Sequence, residues 1–411
     1  MNHVELSEIA AYVDERISSD AVSLEHYVTT DSLLQNKAGR EQAQNMPPNK
    51  VTLIKYQPGD VLVANIRPYL RKIWQADCSG GCSADVLAFR ARPNHSPDFL
   101  YAVLMQDAFF DHVMAGKKGA KMPRGDKKQI MRYLVPDVSA DKEQQIGQMM
   151  ASISQKISLN QRLNDNLESM AQALYDYWFV QFDFPDENGK PYKSSGGKMV
   201  WNEVLKREIP EGWSARPLFD VASVLYGYPF KTELFTENSS DLPIVRIRDI
   251  LENTFSAYSR EPIHEKYLTH RGDLLIGMDG NFHLNYWHRD GDGVNQRVVR
   301  IRSSAPTVSN IQLKLELTPY IKMRETNVTR STVGHLSDKD FKERYILVAA
   351  ESAGFNPAKV LDALLDRMTS LVAETQKLAK QRDFLLPLLM NGQVQVKPQG
   401  VNYHFMEYKN P

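Results

Sequence analysis

The stretch that decides the fold runs from Asp141 to Phe179, DKEQQIGQMMASISQKISLNQRLNDNLESMAQALYDYWF. It contains one glycine and no proline, so little in it interrupts a helix. Apolar residues return every seven positions in two interleaved sets. One is Ile146, Ile153, Leu167 and Leu174; the other is Met150, Ile157, Ala171 and Trp178. An apolar repeat of seven sustained this long reads as a coiled-coil seam. Asn160 and Asn164 interrupt it, and polar seam residues fix register at some loss of stability.

The pattern returns about 211 residues later at Leu361, Leu364, Met368, Leu378, Leu385 and Leu389. Shorter landmarks recur at nearly the same offset. Leu6-Ser-Glu-Ile9-Ala10 resembles Leu218-Phe-Asp-Val221-Ala222, and Pro58-Gly59-Asp60-Val61-Leu62-Val63 resembles Arg271-Gly272-Asp273-Leu274-Leu275-Ile276. Cys82-Ser-Ala-Asp-Val86 likewise resembles Val294-Asn-Gln-Arg-Val298. The chain is therefore read as an internal repeat, globule–helix–globule–helix. Turn signals at Gln57–Asp60 and His270–Asp273 precede short β-rich runs, Val61–Ala64, Leu274–Ile276 and Arg297–Ile301. Phe182 to Gly197 (FDFPDENGKPYKSSGG) is too rich in Pro, Gly and Ser for a continuous element and reads as a connector.

The predicted fold class is α+β: two similar domains separated by two long antiparallel coiled-coil helices in a pseudo-two-fold repeat. A helix from 142 to 179 would span roughly 57 Å at ~1.5 Å per residue. At ~3.4 Å per base step that is about one and a half turns of B-DNA. Two readers so spaced would recognise a split site with unread bases between.

At 411 residues the chain suits two domains of ~150 residues plus connecting elements. No apolar run approaches the ~18–20 residues of a membrane span. The start, MNHVELSEIAAYVDERIS, lacks a signal peptide's basic and apolar regions, so a cytoplasmic location is expected. Cys78 and Cys82 have no partner pair at zinc-finger spacing and read as free thiols. Fifty basic residues balance fifty acidic ones, so a nucleic-acid surface must be sought in local clusters.

No catalytic motif is visible. Gly116-Lys-Lys-Gly119-Ala-Lys121 has the wrong spacing for a phosphate loop, and no G-x-G-x-x-G follows a strand. Asn356-Pro357-Ala358-Lys359 lacks the Asn-Pro-Pro-aromatic motif of adenine methyltransferases and reads as a helix start, with Asn356 as cap. Asp279, Asp290 and Asp292 lie among glycines, as turn residues do, and His283 and His288 read as satisfied histidines. No cofactor and no metal are expected.

The most basic segment holds Lys117, Lys118, Lys121, Arg124, Lys127, Lys128 and Arg132 against Asp126 alone. Its first half is a glycine-punctuated loop that can follow a phosphate backbone. The corresponding stretch of the second half offers Asn327, Thr329, Arg330, Thr332 and His335, groups able to reach base edges or phosphates. A second candidate surface follows the Gly-Asp turns: Asn65, Arg67, Tyr69, Arg71 and Lys72, with Asn281, His283, Asn285 and Tyr286 as counterparts. Tyr175, Tyr177, Trp178, Phe179, Phe182 and Phe184 read as a packing anchor where helix meets connector, with a partner contact as the alternative.

Three segments carry a family resemblance. They are Leu174-Tyr-Asp-Tyr-Trp178-Phe179-Val-Gln-Phe182-Asp-Phe184-Pro185 with Gly189-Lys-Pro-Tyr192-Lys-Ser-Ser-Gly-Gly197, then Ile209-Pro-Glu-Gly-Trp213, and Gln381-Arg-Asp-Phe-Leu385-Leu386-Pro387-Leu-Leu389-Met-Asn-Gly392-Gln-Val394. The first two resemble the central conserved region of type I restriction–modification specificity subunits; the third is similar to the end of their distal conserved region. The resemblance implies target recognition domains at 1–140 and 213–352, and conserved spacer helices at 141–181 and 353–392. A connector at 182–212 and a C-terminal tail at 393–411 complete the division. It also implies the partners: double-stranded DNA, two adenine methyltransferase (modification) subunits and restriction motor-nuclease subunits. The chain itself would be non-catalytic. The alternative reading is a free-standing DNA-binding coiled-coil protein.

Overall fold

Asp60 and Asp273 close the same turn in the two halves. Each carboxylate accepts the amide three residues back, Gln57 N at 2.9 Å and His270 N at 2.6 Å. Both side chains are buried, and a buried carboxylate has to be paired. Each takes a two-pronged guanidinium from a distant strand: Arg90 on Asp60 at 2.8 Å twice, and Arg302 on Asp273 at 2.6 and 2.8 Å. These contacts tie the start of one strand to the end of another.

The computed structural model describes residues 2–47, 49–119, 121–251, 253–326, 334–350 and 355–396. It contains both helices and sheets and divides into two compact units, Met1–Leu159 with Gln376–Pro411, and Asn160–Thr375.

Unit 1 is built on strands β1 (Ala10–Tyr12), β2 (Val61–Ala64), β3 (Ile73–Gln75) and β4 (Val86–Ala91), antiparallel in the order β1-β4-β2-β3. A second sheet joins Arg16–Ser18, Thr52–Tyr56, Gly80–Cys82 and Tyr27–Val28, the last pair parallel. His3–Glu5 pairs with Leu134–Pro136. Unit 2 is built on β5 (Ala222–Tyr226), β6 (Leu274–Gly277), β7 (Leu284–Tyr286) and β8 (Val298–Ser303), in the order β5-β8-β6-β7. Its second sheet also ends in a parallel pair, Leu242–Val245 with Gly293–Val294, and Ser214–Pro217 pairs with Tyr345–Val348.

The first long helix, Ala140–Tyr175, passes into a π-helical turn, Asp176–Val180; the second is Pro357–Met390. All fourteen residues of the two predicted seams are buried or half-buried. The cap at Asn356 is present, its Oδ1 accepting from Ala358 N at 3.0 Å and Lys359 N at 3.3 Å. Residues 351–354 lie outside the described residues, so the predicted start at 353 has no structural counterpart here. Beyond the Pro-, Gly- and Ser-rich stretch 182–197, Met199–Asn202 and Arg207–Pro210 form a hairpin.

Each unit's core takes apolar residues from both long helices. Unit 1 uses Ile146 and Met150 with Leu386, Leu389 and Met390; unit 2 uses Ala171 with Leu361, Leu365 and Met368. In unit 2 Asn160 is fully buried in the seam and donates from Nδ2 to Glu374 Oε2 at 2.8 Å.

In unit 1 the first long helix passes close to the backbone at Asp98–Phe99. A Cβ on Gly147 would stand 2.7 Å from Phe99 N and 2.9 Å from Asp98 Cβ. Alanine normally favours a helix over glycine by about 1 kcal/mol. Here the collision with backbone outweighs that gain. Gly147→Ala is expected to destabilise unit 1 by about 1–3 kcal/mol in urea unfolding. A stabilised variant would contradict this packing.

Candidate nucleic-acid interface

In unit 1, β2 ends at Ala64 and the chain turns sharply. Arg67 and Arg71 both take left-handed backbone angles, φ 52°, on either side of a single turn, Pro68–Leu70. Side-chain-bearing residues rarely adopt that conformation. Backbone bonds hold it: Arg67 N donates to Pro123 O at 2.9 Å, and Asn36 N and Lys37 N donate to Leu70 O and Arg71 O, each at 2.9 Å.

The basic loop lies against this turn. Lys118 and Arg124 pair across it, with N–H···O distances of 2.8 and 3.0 Å, and Arg124 also bridges to Ile66. The two candidate surfaces of the first half are therefore one surface. Arg67, Tyr69, Lys117, Lys118, Lys121 and Arg124 are exposed on it, and Arg71 is half-buried. Lys118 pairs with Asp126 at 2.5 Å and Arg124 with Asp85 at 3.1 Å. The Lys118 ammonium and the amides of Gln129 and Lys128 hold the Asp126 carboxyl down at about 2. That charge caps the short helix Lys127–Ile130.

Asn65 departs from expectation. Its side chain is buried, and Oδ1 accepts the Gly125 amide at 3.1 Å. The approach is tight, since a Cβ on Gly125 would meet Val113 Cγ1 at 2.6 Å and Ile130 Cδ1 at 2.8 Å. Asn65 therefore holds the loop in place rather than facing outward. Lys72 likewise turns to the protein and donates to Thr30 O at 2.6 Å.

Unit 2 joins the corresponding loops. Past β6, Leu336 N donates to Met278 O at 2.8 Å and Gly280 N to Gly334 O at 3.0 Å, and Asp279 bridges to His335. Asn281 and His335 are exposed and His283 is half-buried. Asp279, read from sequence as a turn residue, does more: Oδ1 lies 2.6 Å from His335 Nδ1, and Oδ2 lies 3.2 Å from Arg297 Nη1. Asn327, Thr329, Arg330 and Thr332 lie outside the described residues. Tyr286 is a core residue, not a surface one. Its pairing with Leu274 turns the ring inward, where Lys314 Nζ sits 4.2 Å from its centroid. Asn285 directs Nδ2 at the carbonyls of Ile250 and Leu251, at 3.4 and 3.3 Å.

No family model matches the chain. Individual proteins do. The EcoBI type I restriction enzyme specificity subunit of Escherichia coli is 28% identical over 170 residues, covering 41% of this chain and 36% of that subunit. The MjaIX specificity subunit of Methanocaldococcus jannaschii is 22% identical over 311 residues, covering 73% and 69%. The HindI specificity subunit of Haemophilus influenzae is 20% identical over an alignment of 458 positions, covering 95% and 98%. The chain is a homologue of the type I restriction specificity subunits. It shares a fold with the crystal structure of the type I restriction–modification S subunit from M. genitalium, at a TM-score of 0.56 and 15% identity over 95% of this chain and 96% of that one.

In this specificity-subunit homologue the aromatic run packs internally, as its sequence suggested, except at Tyr177, which is exposed. Trp178, Phe179, Phe182 and Phe184 are buried, and Phe184 stacks on Trp213 at 4.7 Å and on Phe355 at 5.2 Å. Asp290 accepts the Arg271 amide at 2.9 Å, and buried Asp292 accepts Trp287 Nε1 at 2.9 Å. His288 is buried with Nδ1 3.2 Å from Asn253 Oδ1. Cys78 and Cys82 are free thiols, and burial pushes the Cys82 thiol up to about 12, which keeps it unreactive. Among the described residues no cluster of three or more His, Cys, Asp or Glu could hold a metal. Nor is any described helix long and apolar enough to cross a membrane.

Sequence reading missed one group entirely. Lys37 is buried beneath the Arg67–Arg71 turn, with Nζ 2.9 Å from Asp107 Oδ1 and 3.1 Å from Asp383 Oδ1. The signal was a charged pair, Arg382-Asp383, inside the apolar end of the second helix.

Replacing Asn65 with alanine leaves the Gly125 amide only its long 3.4 Å bond to the residue 65 carbonyl. The expected loss is about 0.5–1.5 kcal/mol of stability, the net worth of one hydrogen bond. Hydrogen exchange at Gly125 should speed up before the β2–β4 pairing is affected. Unchanged protection at Gly125 would show that Asn65 does not hold the loop.

Proposed function

We propose that this chain is the DNA sequence-specificity subunit of a type I restriction–modification complex, with no catalysis of its own. One observation carries the reading: along nearly its whole length the chain aligns with a specificity subunit. The loop pairs of the two units, Ile66 with Arg124 and Asp279 with His335, support it. They give each half a similarly built surface for one half of a bipartite target.

The reading takes 1–140 and 213–352 as target recognition domains. It takes 141–181 and 353–392 as conserved helices that form an antiparallel coiled coil and recruit two adenine methyltransferase subunits, to which restriction subunits add. The exposed Leu159 and Phe384, at 45% and 68%, are apolar helix residues of the kind a partner covers. In unit 1, Lys117, Lys118, Lys121, Arg124 and Arg71 track the phosphate backbone, while Arg67 and Tyr69 lie nearest base edges. In unit 2 the contacts come from Asn281, His283 and His335, with Asn327, Thr329, Arg330 and Thr332. Asn65 positions rather than touches. Phosphate contacts orient the protein; the base-edge contacts discriminate, by about 1–3 kcal/mol per good bidentate pair. The relatives do not favour a free-standing DNA-binding coiled-coil protein.

Co-expression with a type I adenine methyltransferase subunit from the same genome tests the reading. The two proteins should co-purify, and sequencing of the host DNA should show adenine methylation at one bipartite motif that disappears when this chain is deleted. Methylation or cleavage by the isolated chain, or failure of the two soluble proteins to associate, would overturn it.

A further inference from the structure

The buried lysine under the reading turn carries an inference about how that turn holds DNA. Lys37 and Asn36 both take left-handed backbone angles, φ 62° and 56°, and their amides grip the carbonyls of Arg71 and Leu70. The Lys37 side chain is 5% exposed and ends between two carboxylates, Asp107 and Asp383. Asp107 is shared: its other oxygen pairs with Arg71 Nη1 at 2.8 Å. Asp383 is in turn held by Arg382 Nε at 3.0 Å, and Arg382 Nη1 reaches the Lys37 carbonyl at 3.4 Å.

Stability alone does not account for a lysine here, because a buried ion pair is often replaced by an apolar side chain at little or no loss. The charge has a local effect instead. Asp107 is half-exposed beside Arg71, on the turn assigned above to DNA. Left alone, that carboxylate would both hold Arg71 and repel phosphate. With Lys37 on its other oxygen, the carboxylate is already balanced when a phosphate arrives. We propose that Lys37 is a positioning residue that neutralises Asp107 and so leaves Arg71 available to a DNA phosphate. The inference rests on the DNA-binding reading.

The test measures binding of the full-length chain to a mixed-sequence duplex across a range of salt concentrations. Each phosphate contact contributes about 0.9 to the slope of log K against log salt. Arg71→Ala should make the slope shallower by about that amount. Lys37→Met should do the same, because Asp107 then keeps Arg71 for itself. Adding Asp107→Asn to Lys37→Met should restore the slope, an outcome that a purely structural role for Lys37 does not produce. A wild-type slope in Lys37→Met, or a double variant no better than the single one, would overturn the proposal. Should Lys37→Met fail to fold, Asp107→Asn alone still decides: it should bind several-fold tighter at low salt, and unchanged or weaker binding would overturn the idea. A wild-type chain that binds neither this duplex nor one carrying the methylated motif would overturn the inference together with the DNA-binding reading. Normal wild-type binding with unresponsive variants would remove the inference alone.

Discussion

Neither unit closes its core without the two long helices. Burying one Leu or Met is worth about 1.5–3 kcal/mol. Unit 1 draws Ile146, Met150, Leu386, Leu389 and Met390 from them; unit 2 draws Ala171, Leu361, Leu365 and Met368. Each helix must therefore present apolar residues to two cores in succession, which explains why its seam is long and its outer face polar. Buried Asn160, facing Glu374, sits where unit 2's share of both helices begins and ends. A polar pair at such a point fixes register, since sliding either helix would bury an amide without its partner.

On these cores the same local solution appears twice. A buried aspartate closes the turn that starts a central strand, and a guanidinium from the last strand holds it there. Beyond that strand the chain leaves the sheet and meets the loop preceding a short helix. The chemistry at the meeting point differs between the units. Unit 1 gathers lysines and arginines around a turn with left-handed arginines, whereas unit 2 sets a carboxylate between a histidine and an arginine. Common scaffolding with different side chains is what a protein needs to read two unlike half-sites.

Much of this was legible in the sequence because it is local or periodic. The seven-residue steps located both helices, the Gly-Asp turns located β2 and β6, and Asn356-Pro357 marked a helix start to within a residue. Resemblance in the segments around Trp178 and Leu385 pointed to the family before any geometry was available. Other features depend on what tertiary packing does to polar residues, which periodicity does not record. Asn65 looks like a surface asparagine until Gly125 is found against it. Tyr286 follows an exposed loop in sequence, yet strand pairing turns it into the core. Lys37 lies in a stretch without pattern, and its two carboxylates are about 70 and 346 residues away. Asp279 sits among glycines as a turn residue would, but its partners come from loops remote in the chain.

The central claim is that each unit reads its own half of one target. The most direct measurement replaces Arg67 and Tyr69 with alanine in the methyltransferase complex and maps adenine methylation across the host DNA. The account predicts that one half of the bipartite motif relaxes while the other half keeps its sequence. Relaxation of both halves together, or an unaltered motif from a complex that still methylates, would contradict it.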